Sequence, residues 1–397
     1  MNDVQCEILG ASIENSESAD RLRIAMLPGD GVGPEVLHEV RKILIAVGER
    51  FGLSFDVRTY PCGGKFYLET GKEWPDVAFE DCRDWADAML LGAVGHPGAR
   101  LPNGDLAGAG VIFGLRFGLD LYANVRPCKL FEGVKHKIHD NYTNVWSSDK
   151  VDFVIIRENT EGAYAPIRGQ LRRGGESELA VDNRVITRKG STRVIDYAYR
   201  IAQVRSGAPL DGKKRLTCVD KSNVMAGCQL FRSIFDEVGS RYPEIERDYV
   251  YIDAFTQYMV RTPEQYDVAV TTNMLGDIAT DLAAVLQGGM GIAASGNIGD
   301  RHGMFEGVHG SAPNIAGQDK ANPVASVMSC QMMLEWLGNR KSNPNCMKAA
   351  LAVERGVRQI LAQGQYVTGD MGGNSRCSET GDALAEAVRS VSIGDQT

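Results

Sequence analysis

Two aspartates placed four residues apart are the first sign of chemistry in this 397-residue chain. Asp277 and Asp281 lie in the run NMLGDIATDL (273–282), where apolar residues recur at helical spacing. Residues i and i+4 share one helix face, so two carboxylates placed in this way repel each other. A divalent cation bound between them would remove that repulsion, and carboxylate oxygens suit Mg²⁺ or Mn²⁺. The ordinary alternative is two solvated aspartates on an exposed face.

The same segment predicts its own packing. Ile278, Leu282, Val285 and Leu286 form an apolar stripe that we expect to be buried, beside the face carrying the two aspartates. A third carboxylate, Asp253, falls in a predicted strand (250–254), and it strengthens the metal interpretation.

Three arginines form a second candidate group. Arg116 and Arg126 flank an apolar segment, and Arg157 directly follows the apolar run 153–156. A guanidinium in a cleft needs an anionic partner, and its forked donors match a carboxylate. Together the three could hold a di- or tricarboxylate, whereas the alternative is three ordinary surface arginines. Beside a metal, Tyr164 and Lys221 could serve as proton donor and acceptor, although capping roles are common for both residue types.

The elements that must position these side chains follow an alternating pattern. A predicted strand (22–27) leads through the glycine turn PGDGVG (28–33) into a helix with one apolar stripe, and another strand (54–60) follows. This order predicts an α/β fold with a largely parallel sheet, in which ligands collect beyond the carboxyl ends of strands. Further strands are predicted at 88–93, 151–157, 215–220 and 267–272, and residues 165–187 are typical of a hairpin arm. The glycine turn does not match G-x-G-x-x-G because Val36 stands in the third place, so a structural role is favoured.

Length and composition limit the class of protein. The length favours two domains, and the net charge of -8 argues against nucleic acid as a partner. No apolar stretch is long enough to cross a membrane. Nine scattered cysteines without a C-x-x-C pair predict reduced thiols, as in a cytoplasmic protein, rather than zinc or disulfides. Residues 1–20 are acidic, fit neither a transit nor a signal peptide, and are predicted to form a mobile tail.

Several separated motifs carry a family resemblance that runs from about residue 22 to the end. They are LPGDGVGPEV, LLGAVGHP, LDLYANVRP, IIRENTEGAY, VDKSNV, NMLGDIATDL and FEGVHGSAPNIAGQDKANP. The chain resembles the β-decarboxylating dehydrogenases of the isocitrate/isopropylmalate dehydrogenase family. This resemblance implies a two-domain α/β fold distinct from the Rossmann type. A large nucleotide-side domain would comprise 21–121 plus 288–397, and a smaller dimerisation and substrate domain 122–287, with the arm (165–187) clasping a partner subunit.

The resemblance also implies a role for each candidate. The substrate's malate carboxylates would be held by the three arginines, with Tyr164 as acid and Lys221 as base. Mg²⁺ or Mn²⁺ would be bound by Asp253, Asp277 and Asp281. In such enzymes the lysine and the first aspartate come from the neighbouring subunit, so a homodimer would be required. The reaction would convert a (2R)-hydroxy acid to a 2-oxo acid and CO₂.

The cofactor residues are implied by the segment 305–323. Glu306, His309, Gly310 and Asn322 would lie along the nucleotide. At position 314, NAD-preferring relatives usually have aspartate, which repels a 2′-phosphate. NADP-preferring relatives typically have Lys-Tyr at the two positions that correspond to 314 and 315. Here Asn314 keeps the hydrogen bonding without that repulsion, and Ile315 follows the NAD pattern. NAD is therefore expected, and use of NADP is possible.

The substrate is narrowed by the residues before Arg116. Isocitrate dehydrogenases usually have serine and asparagine six and four residues earlier, whereas this chain has Gly110 and Ile112. Ile112 and Phe113 resemble the paired leucines that receive an isopropyl group, yet RENTEGAY resembles tartrate or D-malate enzymes. We expect 3-isopropylmalate, D-malate/tartrate or another 3-substituted malate, with isocitrate or homoisocitrate as the alternative. Serine at both 110 and 112 should shift preference toward isocitrate.

Two hypotheses of another class remain. Hetero-oligomeric relatives include catalytically silent regulatory subunits, which lose acid, base or metal ligands. This chain retains Tyr164, Lys221 and all three aspartates, which also disfavours a simple dinucleotide-binding module.

Overall fold

The computed structural model describes residues 21–394, so the predicted tail (1–20) lies outside the described residues. Alternating strands and helices make up the chain. The strands are β1 (Leu22–Gly29), β2 (Phe55–Thr59), β3 (Ala88–Ala93), β4 (Ala123–Lys129), β5 (His136–Ile138), β6 (Asn141–Thr143), β7 (Asp152–Glu158), β8 (Arg168–Arg173), β9 (Glu176–Asp182), β10 (Arg215–Asp220), β11 (Glu246–Tyr251), β12 (Val268–Thr271), β13 (Ala294–Ile298) and β14 (Gly303–Gly307).

The α-helices lie between these strands and at the C-terminal end of the described chain. They are α1 (Gly33–Phe51), α2 (Gly64–Thr70), α3 (Asp76–Glu80), α4 (Ala109–Gly118), α5 (Arg188–Val204), α6 (Ala226–Gly239), α7 (Ile252–Arg261), α8 (Asn273–Leu286), α9 (Val324–Lys341), α10 (Pro344–Gln363) and α11 (Cys377–Ser390). Single turns of π or 3₁₀ helix occupy Asp81–Trp85, Pro263–Gln265 and Gly369–Met371.

Ten strands form one mixed sheet in the order β11-β10-β12-β7-β4-β13-β14-β3-β1-β2. Most neighbours are parallel, and the three antiparallel pairs among them, β7–β4, β4–β13 and β13–β14, meet in the middle. Strands with buried residues on both faces, such as β3 and β12, are mostly apolar because helices cover both sides of the sheet. The predicted α/β class with a largely parallel sheet is confirmed.

The centre of this sheet coincides with the predicted domain boundary. The five strands from β2 to β13 belong to 21–121 and 288–397, and the five from β4 to β11 belong to 122–287. The division into two domains stays a prediction, since a single sheet runs through both.

The glycine turn after β1 has a structural role, as its sequence suggested. Gly31 has φ of +59°, and a Cβ atom there would lie 1.8 Å from the carbonyl oxygen of Ser311. The same oxygen accepts a hydrogen bond from the N–H of Val32 at 2.9 Å. Only glycine permits this approach, which fixes the start of α1 against the segment that contains the predicted nucleotide residues.

Two local predictions were wrong. Asp253 does not end a strand: it lies in the first turn of α7, because β11 already ends at Tyr251. In α8 half of the predicted buried stripe is turned outward: Ile278 is 60% and Val285 39% exposed, whereas Leu286 is buried and Leu282 packs partly buried against the core. Smaller residues together with Leu275 complete the buried face. Apolar spacing identifies an amphipathic face but not the surface that covers it.

The predicted hairpin arm is present as β8 and β9, which pair only with each other. Every residue of both strands is exposed, including Leu171, Leu179 and Val181. A two-stranded ribbon with exposed apolar residues is marginal on its own.

No helix among residues 21–394 is long and apolar enough to cross a membrane. Eight cysteines of the described chain are free and buried, and burial raises the pKa of those for which a shift is resolved, including Cys62 and Cys330. They fill core space as unreactive thiols.

Candidate active site

Three elements bring the predicted arginines together. Arg126 and Arg157 lie on the adjacent strands β4 and β7, where Asn124 pairs with Arg157 and Arg126 with Ile155. Arg116 lies in the last turn of α4. All three are buried. With Tyr164, Asp277 and Asp281 they form what we call the arginine–aspartate cluster.

Arg157 and Tyr164 meet on Asp277. The Arg157 guanidinium donates to one carboxylate oxygen of Asp277, and the Tyr164 hydroxyl donates to the other at 2.8 Å. Two further N–H groups of Arg157 donate to Oδ1 of Asn273 at 2.9 and 2.7 Å. Asn273 is itself held through its Nδ2, which donates to the carbonyl oxygen of Glu161. The guanidinium is therefore fixed in one orientation.

Arg126 connects the two aspartates. Its guanidinium lies 3.8 Å from Asp277 and 3.5 Å from Asp281, and it donates to the Thr280 hydroxyl at 2.7 Å. Its Nε donates to Asn124 at 2.7 Å. Asp277 and Asp281 thus do occupy one helix face, as their spacing predicted, and the side chain of Asp281 stays 52% exposed.

Arg116 points toward the predicted cofactor segment. Its Nη2 pairs with Glu306 at 3.1 Å and its Nε donates to Asn297 at 3.0 Å. Asn297 is fully buried, its Oδ1 also accepts from Asn124 and Asn159, and its Nδ2 donates to Glu306. This asparagine therefore joins Arg116, and through Asn124 also Arg126, to Glu306.

The charges of the cluster perturb one another. Burial lowers the pKa of Arg157, and the neighbouring guanidiniums of Arg116 and Arg126 lower it further. Burial alone would raise the pKa of Asp277, but Arg157, the Tyr164 hydrogen bond and Arg126 outweigh it and lower that pKa. Burial raises the pKa of Asp281. Tyr164 has a raised pKa, first from burial and then from Asp277, which keeps the phenol protonated.

Four residues that orient the cluster were missed from the sequence: Asn124, Asn273, Thr280 and Asn297. Asn124, Asn273 and Thr280 stand inside motifs already singled out, whereas Asn297 lies in a strand that no such motif covers. A polar residue in a buried strand or within an apolar helix needs partners, and that requirement could have identified all four.

Lys221 and Asp253 form a separate unit, which we call the Lys221–Asp253 pair. Lys221 Nζ lies 2.6 Å from Asp253 Oδ1, and the side chain of Asp253 is 64% exposed. Lys221 follows β10, where the buried Asp220 accepts two hydrogen bonds from Arg232 and fixes the end of the strand. Hydrogen bonding to Lys221 lowers the pKa of Asp253. Within residues 21–394 the pair makes no hydrogen bond or ion pair with the arginine–aspartate cluster.

The donor set of α8 fits a hard divalent cation. Asp277 and Asp281 offer partly exposed carboxylate oxygens on one face, and no sulfur or imidazole ligand accompanies them. In the described chain no three acidic, histidine or cysteine side chains gather into a complete metal site. Within the described residues, Asp253 does not join Asp277 and Asp281.

The predicted cofactor residues follow β14. His309 Nδ1 donates to the carbonyl oxygen of Gly310 at 3.1 Å, which leaves Nε2 as an acceptor, and this buried atom has no partner within the described residues. Burial lowers the pKa of His309, so the ring is neutral. Gly310 and Asn314 are exposed. An unsatisfied buried acceptor beside exposed polar groups fits a bound nucleotide.

Two other predicted cofactor residues are engaged within the chain. Asn322 accepts from the N–H of Val324 and donates to Asp370, both at 3.0 Å. Ile315 packs against the start of α1, next to Val32 and Val36. They shape the segment, and only Asn314 of the pair 314–315 presents an exposed side chain.

The predicted apolar pocket residues lie on α4, one turn or less from Arg116. Phe113 is 37% exposed and stacks on Phe117 with ring centroids 5.8 Å apart. Ile112 is partly buried against the small core that includes Val111 and Leu115. Phe113 therefore offers more free apolar surface than Ile112 does.

Comparisons with known proteins identify the family of the chain. Residues 23–384 match the family model described as isocitrate/isopropylmalate dehydrogenase. The chain is 41% identical over 376 residues to a 3-isopropylmalate dehydrogenase of Thermobifida fusca, covering 94% of this chain and 99% of that protein. It is 39% identical over 368 residues to a 3-isopropylmalate/3-methylmalate dehydrogenase of Methanocaldococcus jannaschii, covering 92% and 99%.

A solved structure extends the likeness to three dimensions. The crystal structure of an isocitrate dehydrogenase from Methylococcus capsulatus matches with a TM-score of 0.78 and 36% identity, over 93% of this chain and all of that one. The predicted family membership and the predicted fold class are thereby confirmed. The chain belongs to the isocitrate/isopropylmalate dehydrogenase family of decarboxylating dehydrogenases.

Proposed function

We propose that this enzyme carries out the oxidative decarboxylation of a (2R)-hydroxy acid with a malate core and an uncharged substituent at C3. 3-Isopropylmalate heads the candidates because the relatives from Thermobifida fusca and Methanocaldococcus jannaschii carry that name. D-malate, tartrate and other 3-substituted malates share the same core.

One observation carries the proposal: the buried guanidiniums of Arg126 and Arg157 contact the carboxylates on one face of α8, and the buried Arg116 lies close enough to lower the pKa of Asp277. Asp277 pairs with both Arg157 and Arg126 and so offsets the repulsion between them. Glu306 pairs with Arg116 and offsets its charge in the same way. A buried charge is stable only when it is paired. A dicarboxylate supplies forked acceptors for these donors, whereas a neutral substrate does not.

Charge balance supports a metal as well as a dianion. A divalent cation between Asp277 and Asp281 adds two positive charges, and a malate dianion adds two negative charges, so binding both leaves the net charge of the cluster unchanged. We assign Mg²⁺ or Mn²⁺ to these two aspartates, completed by Asp253 of a second chain.

Two side chains are assigned to proton transfer. When bound, the divalent cation would act as a Lewis acid on substrate oxygens, and the nicotinamide would accept the hydride from C2. Lys221 Nζ takes the proton of the C2 hydroxyl. The Tyr164 hydroxyl, protonated because of its raised pKa, gives a proton to C3 after CO₂ has left. One proton is taken and one is given, so the reaction is balanced without a further acid.

For the cofactor we propose NAD, with NADP as a possible second substrate. His309 Nε2 is a free buried acceptor, and the exposed Asn314 is neutral. A neutral amide hydrogen-bonds ribose hydroxyls and neither repels nor binds a 2′-phosphate. The remaining predicted contacts, Glu306, Gly310, Ile315 and Asn322, stay as proposals along the same segment.

A homodimer completes the site. The Lys221–Asp253 pair has no contact with the arginine–aspartate cluster in its own chain, while α8 and the arm (β8 and β9) expose apolar residues that need a cover. We propose that a second copy covers both surfaces and brings its own pair to the cluster. The buried free cysteines suit a reducing compartment, so we propose a cytoplasmic location.

The test is a substrate panel. The purified enzyme is given Mn²⁺ and NAD or NADP with 3-isopropylmalate, D-malate, tartrate, isocitrate or homoisocitrate, and reduced nicotinamide is followed by absorbance. We expect turnover of at least one acid with an uncharged C3 substituent, with NAD preferred. Tyr164→Phe serves as the matched control, because it removes the acid and leaves the carboxylate-binding arginines intact. Absence of turnover with every malate-core acid would refute the proposed function.

A further inference from the structure

A carboxylate of the chain itself occupies the start of α4. Glu73 lies in the turn between α2 and α3, and its Oε1 accepts hydrogen bonds from the N–H groups of Gly108 at 2.6 Å and Gly110 at 3.0 Å. The contact joins residues 35 and 37 positions apart. The free N–H groups that begin this helix, which favour an anion, are therefore partly satisfied before any substrate binds.

The second oxygen of Glu73 fills the space above Gly110. A Cβ atom on Gly110 would lie 2.1 Å from Oε2, well inside contact distance. Gly110 stands six residues before Arg116, where isocitrate dehydrogenases usually have the serine that meets an additional carboxylate. In this chain the negatively charged Glu73 carboxylate fills the space that a serine side chain at position 110 would occupy.

The rest of this helix face is apolar. Phe113 lies between Gly110 and Arg116 and exposes part of its ring. Six residues of α-helix span about 9 Å, so a substrate held by Arg116 can reach the start of α4 with the group attached to its C3. That group meets an aromatic surface and the Glu73 carboxylate, without a free cation from α4.

We propose that Glu73 determines substrate specificity by excluding C3 substituents that carry a negative charge, while alkyl or hydroxyl substituents are accepted. This inference rests on the proposed function and assigns its selectivity to one residue. A substituent carboxylate brought to the start of α4 would meet a like charge at short range, where repulsion is strong and poorly screened.

The decisive variant is Glu73→Gln. The glutamine carbonyl can still accept from Gly108 and Gly110, so the helix start is kept and only the charge is removed. We measure kcat/KM for isocitrate and homoisocitrate relative to 3-isopropylmalate and D-malate. We expect the ratio of charged to uncharged substrates to rise by about tenfold or more, as loss of one short-range like charge implies. Glu73→Asp, which keeps the charge, should leave discrimination in place.

Glu69→Gln is the matched control. Glu69 is exposed on α2, four residues away, and its substitution changes the net charge equally. The ratio should not change in this variant. A ratio of two substrates does not depend on the folded fraction, so partial misfolding of a variant does not obscure the result.

The outcomes separate the two proposals. An unchanged ratio in Glu73→Gln, or a uniform loss for all substrates, would show that Glu73 only caps α4 and would overturn the inference. A wild-type enzyme inactive on every malate-core acid would overturn the proposed function itself. The expected conversion by serine at 110 and 112 should be weaker than the pocket residues alone suggest, because Gly110→Ser adds a Cβ atom that requires Glu73, or a glutamine of equal size, to move.

Discussion

The arginine–aspartate cluster and the Lys221–Asp253 pair contain the same kinds of ionic group in opposite settings. In the cluster, Arg157 is buried and donates to both Asn273 and Asp277. In the pair, Asp253 is 64% exposed and has a single ionic partner. The cluster is organised completely by one chain, whereas the pair is attached to its chain only through the end of β10 and the first turn of α7.

This difference is the basis for the proposed contribution of a second chain. Buried arginines with fixed partners form a surface that fits an anion. The half-buried Lys221 and the exposed Asp253 make a contact that contributes little stability. In the proposed homodimer, the pair gains a defined geometry because the cluster of the other chain is placed against it.

Subunit complementation tests this comparison with the largest expected effect. Lys221→Met and Tyr164→Phe should each lower kcat by about 100-fold or more as homodimers. After subunit exchange in a 1:1 mixture, half of the dimers are mixed, and each mixed dimer has one intact site. Activity should return to about one quarter of wild type by this statistical count for a two-fold dimer.

The control for complementation pairs two lesions from the same cluster. A mixture of Tyr164→Phe and Arg157→Lys chains leaves one lesion in every site and should stay inactive. Recovery in this control, or none in the first mixture, would contradict a site shared between chains.

Ile278→Asp should dissociate the proposed dimer and so separate the arginine–aspartate cluster of one chain from the Lys221–Asp253 pair of the other. A charge on the exposed apolar face of α8 opposes dimerisation, because it would be buried without a partner. We expect a folded monomer by sedimentation and circular dichroism, with activity lowered about 100-fold as the base is lost from the site. Val204, 81% exposed at the end of α5, provides the control Val204→Asp, which should remain dimeric and active. A fully active monomer of Ile278→Asp would refute the shared site.

The free energy of unfolding should also distinguish the arginine–aspartate cluster from the Lys221–Asp253 pair. Arg157→Met leaves Asn273 without its donor and Asp277 without its buried guanidinium partner, although Tyr164 still donates to Asp277. We expect the free energy of unfolding to fall by about 3 kcal/mol. Lys221→Met removes an ion pair with a solvent-exposed aspartate and should change the free energy of unfolding far less. Urea denaturation of the metal-free enzyme measures both. Equal losses would mean that the pair is as firmly organised as the cluster.

The buried carboxylate of Glu39 extends this comparison, with the smallest expected effect. Glu39 in α1 is 3% exposed, and burial raises its pKa to about 7, although Lys42 lies 2.7 Å away and opposes the shift. The folded chain holds a proton that the unfolded chain, with a pKa of 4.5, releases. Stability from this group is therefore lost as pH rises from about 4.5 to 7.

Glu39→Gln should remove that pH dependence. We expect the variant to match wild type near pH 4 and to exceed it by about 1–2 kcal/mol near pH 8, measured by urea denaturation. Asp277 has the opposite pH dependence, because the neighbouring arginines lower its pKa. Its contribution to the free energy of unfolding is present above the unfolded pKa of 3.8 and is lost at lower pH. Parallel pH profiles of wild type and Glu39→Gln would contradict the assignment.

Much of the fold could be predicted from local patterns. The strands at 88–93 and 215–220 were predicted with the bounds that the structure has, and the hairpin arm was recognised from its composition. Buried strands of a parallel sheet carry continuous apolar runs, and helices carry a periodic stripe, so each pattern lies within a few consecutive residues. The placement of Asp253 failed because β11 ends at Tyr251, three residues before the end of the predicted strand (250–254).

The chemistry of the site was determined by the sequence to a similar extent. Residue type and spacing identified the carboxylates of α8 and the three arginines, because i, i+4 geometry and the need of buried cations for anions are local or general constraints. Only the tertiary structure decided how these groups are oriented. Arg116 and Asn297 are 181 positions apart, and Gly110 receives Glu73 from a distant turn. Hydrogen bonds across such separations depend on how strands and helices pack, and no one-dimensional spacing encodes that packing.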